Sequence, residues 1–245
     1  MCVVYIINTS HRVKLLEATD VRGILGLLIA DGSLVAYRTP SGGYIQLTLV
    51  AGATESAFLE EKVKEFNQFI FTKAKIVPYK TKARSSGNST PILRFRVSTN
   101  KLRPVYNLLY PIGERQITQT TLDLLGAKAA AWLWAEGAKV LKDGSSLLSR
   151  VGNTFEETLM IQNWLQMLVG AEGMIDENYV RPRIQFDIEN TQKVQEALTN
   201  YAPQSRLHLF KQEQWNVSAI RSSRTELQFG KGENQSQGEK ATSLA

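Results

Sequence analysis

The sequence lacks the residues from which disulfide frameworks and zinc sites are built. Its 245 residues include one cysteine, Cys2, and two histidines, His11 and His208. A single cysteine cannot form an internal disulfide and indicates a reducing compartment. Two histidines and one distant cysteine cannot build a zinc site. Any bound metal is therefore expected to be a hard cation with oxygen ligands.

Long hydrophobic runs are lacking as well. The apolar segment at residues 24–30 ends at Asp31, and the segment around Trp132 is interrupted by Lys128 and Glu136. Neither approaches the length that is needed to span a bilayer. With 43% hydrophobic residues, the chain can still bury an ordinary globular core. We therefore expect a soluble, intracellular protein that does not bind membranes.

Acidic residues are missing from one long stretch of the chain. Between Phe66 and Gly113 there is no aspartate or glutamate, whereas nine lysines and arginines fall within it. A solvated surface normally mixes charges of both signs, so this stretch predicts a phosphate-binding surface. The formal net charge of +6 also favours a polyanionic partner.

Two similar segments lie about a hundred residues apart. Residues 24–32 read ILGLLIADG and residues 129–137 read AAAWLWAEG, so each apolar run closes on an acid and a glycine. In each segment a small residue lies five positions before the acid and an alanine lies one position before it. These small residues are Gly26 and Ala30 in the first segment, and Ala131 and Ala135 in the second.

The spacing of the small residues predicts how the two segments are used. Residues four apart share one face of a helix, and small side chains there let two helices pack closely. If the two segments pack on each other, Asp31 and Glu136 lie side by side at the end of the helix pair. Two acids held together in this way predict a site for divalent cations.

The hydrophobic pattern around both segments predicts the same order of elements. Helix, two strands, helix, two strands and helix occur twice, so the predicted fold is α+β with tandem αββαββα repeats. On the second strand of the first repeat, Tyr44, Gln46 and Thr48 are predicted to form a polar face. The expected organisation is an N-terminal extension at 1–19, halves at 20–113 and 114–229, and a disordered tail at 230–245.

The first segment resembles the LAGLIDADG motif of the homing endonucleases. It matches at Gly26, Leu27, Ala30, Asp31 and Gly32, and the second segment keeps the spacing, the acid and the glycine. The resemblance is to the single-chain branch of the omega-intron endonuclease type. It implies a fold with pseudo-twofold symmetry, motif helices at the interface, and two curved antiparallel sheets that form a DNA-binding saddle. It also implies a monomeric endonuclease that cuts both strands of a long asymmetric DNA site and leaves short 3′ overhangs.

The resemblance also implies roles for particular residues. Asp31 and Glu136 would hold Mg²⁺, for which Mn²⁺ would substitute, whereas Ca²⁺ would support DNA binding without cleavage. The family carries a basic residue near each active site, and Arg115 and His208 occupy those places, with Arg206 close to the second. Because arginine stays charged, Arg115 is expected to act as an electrostatic clamp, whereas a histidine can exchange a proton near neutral pH. Glu136 stands where the family has aspartate, so one strand is expected to be cut more slowly.

The strand faces are expected to contact the DNA. Basic, amide and hydroxyl side chains bind phosphates or base edges in such surfaces. In the first half the candidates are Tyr37, Arg38, Tyr44, Gln46, Thr48, Lys75, Tyr79, Lys80, Lys82, Arg94 and Arg96. In the second half they are Lys139, Lys142, Ser146, Arg150, Arg181, Arg183 and Gln185.

Two other functions are compatible with the same sequence. One is an RNA maturase on this fold, with intron RNA as its partner, although RNA binding alone does not explain why both acids are present. The other is a regulator that binds DNA without cutting it, although the sequence has no recognisable helix-turn-helix or zinc module. Cleavage assays separate these functions from an endonuclease, and binding assays do not. Each would act in the cytoplasm, the nucleoid or the organelle matrix of the intron host.

Overall fold

A computed structural model describes residues 16–40, 42–80 and 91–211. Its helices are α1 (Ala18–Leu28), α2 (Ser56–Phe69), α3 (Arg103–Leu109), α4 (Gln119–Asp123), α5 (Ala127–Gly137), α6 (Phe155–Val169) and α7 (Ile188–Leu198). Its strands are β1 (Ser33–Thr39), β2 (Gly42–Gly52), β3 (Val77–Lys80), β4 (Pro91–Thr99), β5 (Ala138–Val140), β6 (Ser146–Leu148), β7 (Met174–Asp176) and β8 (Arg183–Phe186). Apart from the short helix α4, the order αββαββα occurs twice, so the predicted repeat is confirmed.

Each repeat contains one four-stranded antiparallel sheet. The strand orders are β1-β2-β4-β3 and β5-β6-β8-β7, which are the same arrangement shifted by four strands. The sheets differ in size, because β2 has 11 residues whereas its counterpart β6 has 3. The predicted α+β class with two antiparallel sheets is confirmed.

The register of the first sheet separates a polar face from an apolar face. Tyr37 pairs with Tyr44 and Thr48 pairs with Arg96, and residues paired across strands point to the same side. The intervening residues of β2 point the other way and are buried in the core, namely Ile45, Leu47 and Leu49. The predicted polar face of this strand is therefore confirmed.

The motif helices α1 and α5 pack against each other, and small residues permit this contact. A Cβ atom added to Gly26 would lie 2.9 Å from the Cβ of Ala129, which is closer than two such atoms approach. Ala131 and Ala135 are buried on α5, and Ala30 packs at the edge of the same core. Buried side chains from both repeats form one hydrophobic core around this helix pair.

Several predicted features lie outside the described residues. They include residues 1–15 of the predicted N-terminal extension, residues 230–245 of the predicted tail, and Lys82. The boundary between the halves at residues 113 and 114 stays a prediction. Within the described ranges the longest helix has 15 residues, and none of the helices there is long and apolar enough to cross a bilayer.

Candidate active site at the end of the motif helices

The two motif acids lie together beside one buried lysine. The Nζ atom of Lys62 is 2.7 Å from Oε2 of Glu136 and 3.8 Å from Oδ2 of Asp31. The exposed fraction of the side chain is 4% for Lys62, 9% for Glu136 and 28% for Asp31. The packing of α1 on α5 thus brings together two acids that are far apart in the sequence, with an ammonium group beside both.

The glycine that follows each acid is required by the local backbone. Gly32 has a φ of +106°, a conformation that residues with a side chain rarely adopt. At Gly137 an added Cβ would lie 2.1 Å from the carbonyl oxygen of Ser149. The N–H of Ser149 also donates a hydrogen bond of 3.0 Å to the carbonyl of Gly137. Both glycines let the chain turn sharply into a strand directly after the acid.

Lys62 reaches the acids from α2. This helix buries Lys62 on the same face as Phe58, Leu59 and Phe66, at the spacing of an amphipathic helix. A buried ammonium group requires an ionic partner, which Glu136 provides. A lysine at a core position of α2 is visible in the sequence, but the acids that pair with it come from other helices.

Glu136 has a second cationic partner. Arg150 Nη1 lies 3.0 Å from Oε1 of Glu136, while Lys62 binds the other carboxylate oxygen. Arg150 has a φ of +62°, which is uncommon for a residue other than glycine. The sequence pattern places Arg150 on a strand that contacts DNA, but β6 ends at Leu148. That strand assignment is wrong, because the chain turns after β6 and directs the guanidinium to Glu136.

A cleft of about 390 Å³ opens at this cluster of charges. Its lining includes Asp31, Glu136, Lys62, Arg150, Glu55 and Arg206. The Arg206 guanidinium pairs with Glu55 and stacks on the ring of Phe58, 4.7 Å from its centroid. His208, two residues further along, is exposed, and the lining of the cleft does not include it. The segment near residue 208 therefore presents Arg206 to the cleft in place of His208.

Comparison with known proteins identifies the family. Residues 22–194 match the model of the LAGLIDADG DNA endonuclease family. This chain belongs to that family. No curated protein matches the chain in sequence. The family recognised from the paired motifs is therefore confirmed.

Solved structures agree with this assignment at the level of the fold. The homing endonuclease I-WcaI bound to its DNA recognition sequence is similar with a TM-score of 0.65 and 14% identity, covering 82% of this chain and 89% of that chain. Mesophilic variants of the homing endonuclease I-DmoI give 0.52 and 15%, covering 78% and 97%. An I-DmoI variant in complex with its target DNA in the presence of Mg gives 0.50 and 16%, covering 74% and 97%.

Arg115 supports the first LAGLIDADG motif from outside the cleft. Its guanidinium donates hydrogen bonds to three carbonyl oxygens at the end of α1, those of Leu28 at 2.6 Å, Ile29 at 2.8 Å and Gly32 at 3.0 Å. These carbonyls carry the partial negative charge of a helix C-terminus, which a cation stabilises. Arg115 lines a separate depression together with Asn153, so it holds the segment that carries Asp31.

We expect the substitution Arg115→Met to lower the free energy of unfolding by about 2–3 kcal/mol, because three charge-assisted hydrogen bonds are lost. Urea unfolding followed by circular dichroism measures this change. The control is Arg181→Met, which removes an exposed arginine and is expected to change stability by less than about 0.5 kcal/mol. Equal stabilities of the two variants would show that Arg115 does not hold the end of α1.

The acid pair of the LAGLIDADG motifs offers suitable donors for a hard divalent cation. Among the described residues there is no group of three or more histidine, cysteine or acidic side chains that could hold a metal ion. Mg²⁺, however, is commonly bound through one or two carboxylates together with substrate phosphates and water. The ammonium of Lys62 already marks a point where positive charge is favoured by both acids. Asp31 and Glu136 therefore fit such a cation.

The polar face of the first LAGLIDADG sheet carries aromatic, amide and basic groups. Tyr37 stacks on Tyr44 with ring centroids 5.1 Å apart, and Arg94 lies over the ring of Tyr79 at 4.0 Å. Arg96 is exposed on the same face. Gln46 and Thr48 also lie there, Lys80 lies on β3, and exposed Lys75 precedes that strand. Arg38 pairs with Gly43 and therefore lies on the opposite face, so we leave it out of this surface.

The corresponding face of the second sheet is smaller. Lys139, Gln185 and Arg183 share it, and Arg183 lies over the ring of Tyr179 at 3.7 Å. Lys142 is exposed in the turn between β5 and β6, and Arg181 is exposed just before β8.

The prediction that Ser146 contacts DNA is wrong. Its exposed fraction is 1%, and its Oγ is 2.8 Å from Oγ1 of Thr191 on α7. Ser146 shares the inward face of β6 with Leu148, so its hydroxyl is used inside the core.

Proposed function

We propose that this chain is a site-specific DNA endonuclease that hydrolyses one phosphodiester bond in each strand of a long asymmetric site. The observation that carries the proposal is the meeting of Asp31 and Glu136 in a cleft lined by both repeats. Membership in a family of DNA endonucleases supports it. The two repeats differ in sequence, so the target is expected to be asymmetric, and one chain supplies both motif helices, so the enzyme is expected to act as a monomer.

The residues of the cleft have complementary roles in this proposal. Asp31 and Glu136 hold Mg²⁺, which when bound neutralises phosphate charge, activates water and supports the leaving oxygen. Arg150 and Arg206 line the same cleft and attract the phosphate backbone through their charge. Each acid serves mainly one strand, and the two cuts leave short 3′ overhangs. Because Glu136 is bound by two cations and Asp31 by one longer contact, we expect the two strands to be cut at unequal rates.

The polar faces of the two sheets form the proposed DNA-binding surface. Arginine and lysine side chains there neutralise phosphates, while the tyrosines and amides are placed to contact bases. The proposed contacts are Tyr37, Tyr44, Gln46, Thr48, Lys75, Tyr79, Lys80, Arg94 and Arg96 in the first half, and Lys139, Lys142, Arg181, Arg183 and Gln185 in the second.

The substitution Arg96→Gln tests this surface. Removal of one phosphate contact is expected to weaken DNA binding and to lower the slope of log affinity against log salt by about 1. Fluorescence anisotropy with a labelled duplex in Ca²⁺ at several salt concentrations measures both changes. The control Arg22→Gln removes the same charge near the start of α1, away from the sheets, and should leave the slope unchanged.

Cleavage selection tests the function itself. A plasmid library that carries a randomised duplex segment is incubated with the protein and Mg²⁺, and the cut ends are sequenced. We expect one asymmetric consensus, 3′ overhangs, nicked circles before linear product, and support of cleavage by Mn²⁺ but not by Ca²⁺. If no sequence is enriched among cut molecules, or if cutting persists without a divalent cation, the proposal is wrong.

A further inference from the structure

We propose that Lys62 is a tethered counter-cation that occupies the cation position beside Asp31 and Glu136 and competes with a divalent ion for it. The inference rests on the proposed function, because it takes the two acids to be metal ligands. It goes further in assigning a role to a lysine on α2, which lies outside both motifs. Three observations carry it.

The first observation is the geometry of the Lys62 ammonium. It lies 2.7 Å from Oε2 of Glu136, and Arg150 lies 3.0 Å from the other oxygen of the same carboxylate. Both oxygens of Glu136 are therefore engaged. A Mg²⁺ ion requires ligand oxygens at about 2.0–2.1 Å, so it cannot bind Oε2 while the ammonium remains there.

The second observation is the burial of Lys62. Its exposed fraction is 3%, so solvent does not screen its attraction to the acids as it would at the surface. The ring of Phe58 lies 5.5 Å from Nζ and covers another side of the ammonium. Without a partner such a charge is costly to bury, so the ammonium stays with the acids until another anion is available.

The third observation is the balance of charge in the cleft. Its lining contains three acids, Asp31, Glu55 and Glu136, and three bases, Lys62, Arg150 and Arg206. A divalent ion that enters without DNA leaves two uncompensated positive charges. DNA phosphates supply the missing negative charge and give the displaced ammonium a new partner. Metal and DNA are therefore expected to bind cooperatively, each raising the affinity for the other by the same factor.

Calcium binding in the absence of DNA tests the proposal. Isothermal titration of Ca²⁺ compares the wild type with Lys62→Met and with Lys64→Met, which removes an exposed lysine from the same helix. Lys62→Met is expected to bind Ca²⁺ at least about tenfold more tightly than the wild type, which corresponds to about 1.4 kcal/mol. Lys64→Met should resemble the wild type, and the double variant Asp31→Asn/Lys62→Met should lose the gain.

A stability measurement covers the case in which Lys62→Met folds poorly. Without Ca²⁺ its melting temperature should fall, because two acids then face each other without the ammonium, and Ca²⁺ should restore it by binding the native state. Lys62→Gln, which keeps a hydrogen-bond donor for Glu136, is measured beside it. If neither variant binds Ca²⁺ more tightly than the wild type or is rescued by it, the proposal is wrong.

The outcome for Lys62 is separable from that for the nuclease. The calcium titration contains no DNA, whereas plasmid cleavage by the wild type tests the proposed function directly. Tighter Ca²⁺ binding without any cleavage would support the role of Lys62 and contradict the nuclease. Cleavage by the wild type without a gain in Ca²⁺ affinity for either variant would do the reverse.

Discussion

Asp31→Asn is expected to lower the rate of DNA cleavage by about a thousandfold, as the loss of a preorganised charge in an active site commonly does. Asparagine keeps the shape of the side chain but removes the charge that holds the metal. Asp31 is partly exposed and makes one contact of 3.8 Å with Lys62, so the fold and DNA binding in Ca²⁺ should be retained. Single-turnover cleavage of a plasmid with the selected site measures the rate, and gel shift in Ca²⁺ measures the binding.

The control for this prediction is Asp123→Asn, which removes an equal charge from an exposed acid on α4. That variant should cut at the rate of the wild type. If Asp31→Asn also cuts at that rate, Asp31 is not a ligand of the catalytic metal, and the proposed site loses one of its two carboxylates.

Glu136→Gln is expected to lower the free energy of unfolding by about 3 kcal/mol, because removal of one partner from a buried ion pair leaves the other charge unpaired. Glu136 binds Lys62 through one oxygen and Arg150 through the other. Glutamine is neutral, so the buried ammonium retains the contact of 3.8 Å with Asp31 as its remaining ion pair. Urea unfolding gives the change from the midpoint and the slope of the transition.

A matched variant distinguishes this effect from the loss of any acid in an ion pair. Glu65→Gln removes the partner of Lys128, whose side chain is 55% exposed. Solvent can take over the contacts of an exposed ammonium, so this variant should lose less than about 1 kcal/mol. Equal losses in the two variants would mean that Lys62 does not depend on Glu136.

The parts of the fold that depend on local periodicity were predictable from the sequence. The repeated element order follows from apolar spacing that each segment carries within itself. The polar face of β2 follows from the alternation of its residues, and the register confirms it. The motif acids could be found because both copies retain the acid, the glycine and the small residues that let α1 approach α5.

The surroundings of the acids depend on contacts between distant segments. Lys62 is 74 residues from its partner Glu136, and a single helix pattern does not reveal which acid it will meet. Arg206 pairs with Glu55 from the other half of the chain. Both residues enter the cleft only after the two repeats have packed together, so spacing within either repeat does not predict them.

The remaining errors have local causes. Ser146 lies on a strand of three residues, which is too short for alternation to show which face is buried. Arg150 was assigned to that strand because the left-handed conformation that ends it is not typical of arginine. Arg115 occupies the place expected for an active-site base, but its planar guanidinium donates to three carbonyls of the first motif, a geometry suited to arginine rather than lysine.

Anomalous diffraction from crystals of the protein with its selected DNA site and Mn²⁺ tests the central claim most directly. The account predicts a manganese peak in contact with the carboxylates of both Asp31 and Glu136, beside a DNA phosphate, with the Lys62 ammonium moved away from the acids. A manganese ion bound elsewhere, or an ammonium that still lies beside both carboxylates in the metal-loaded complex, would contradict it.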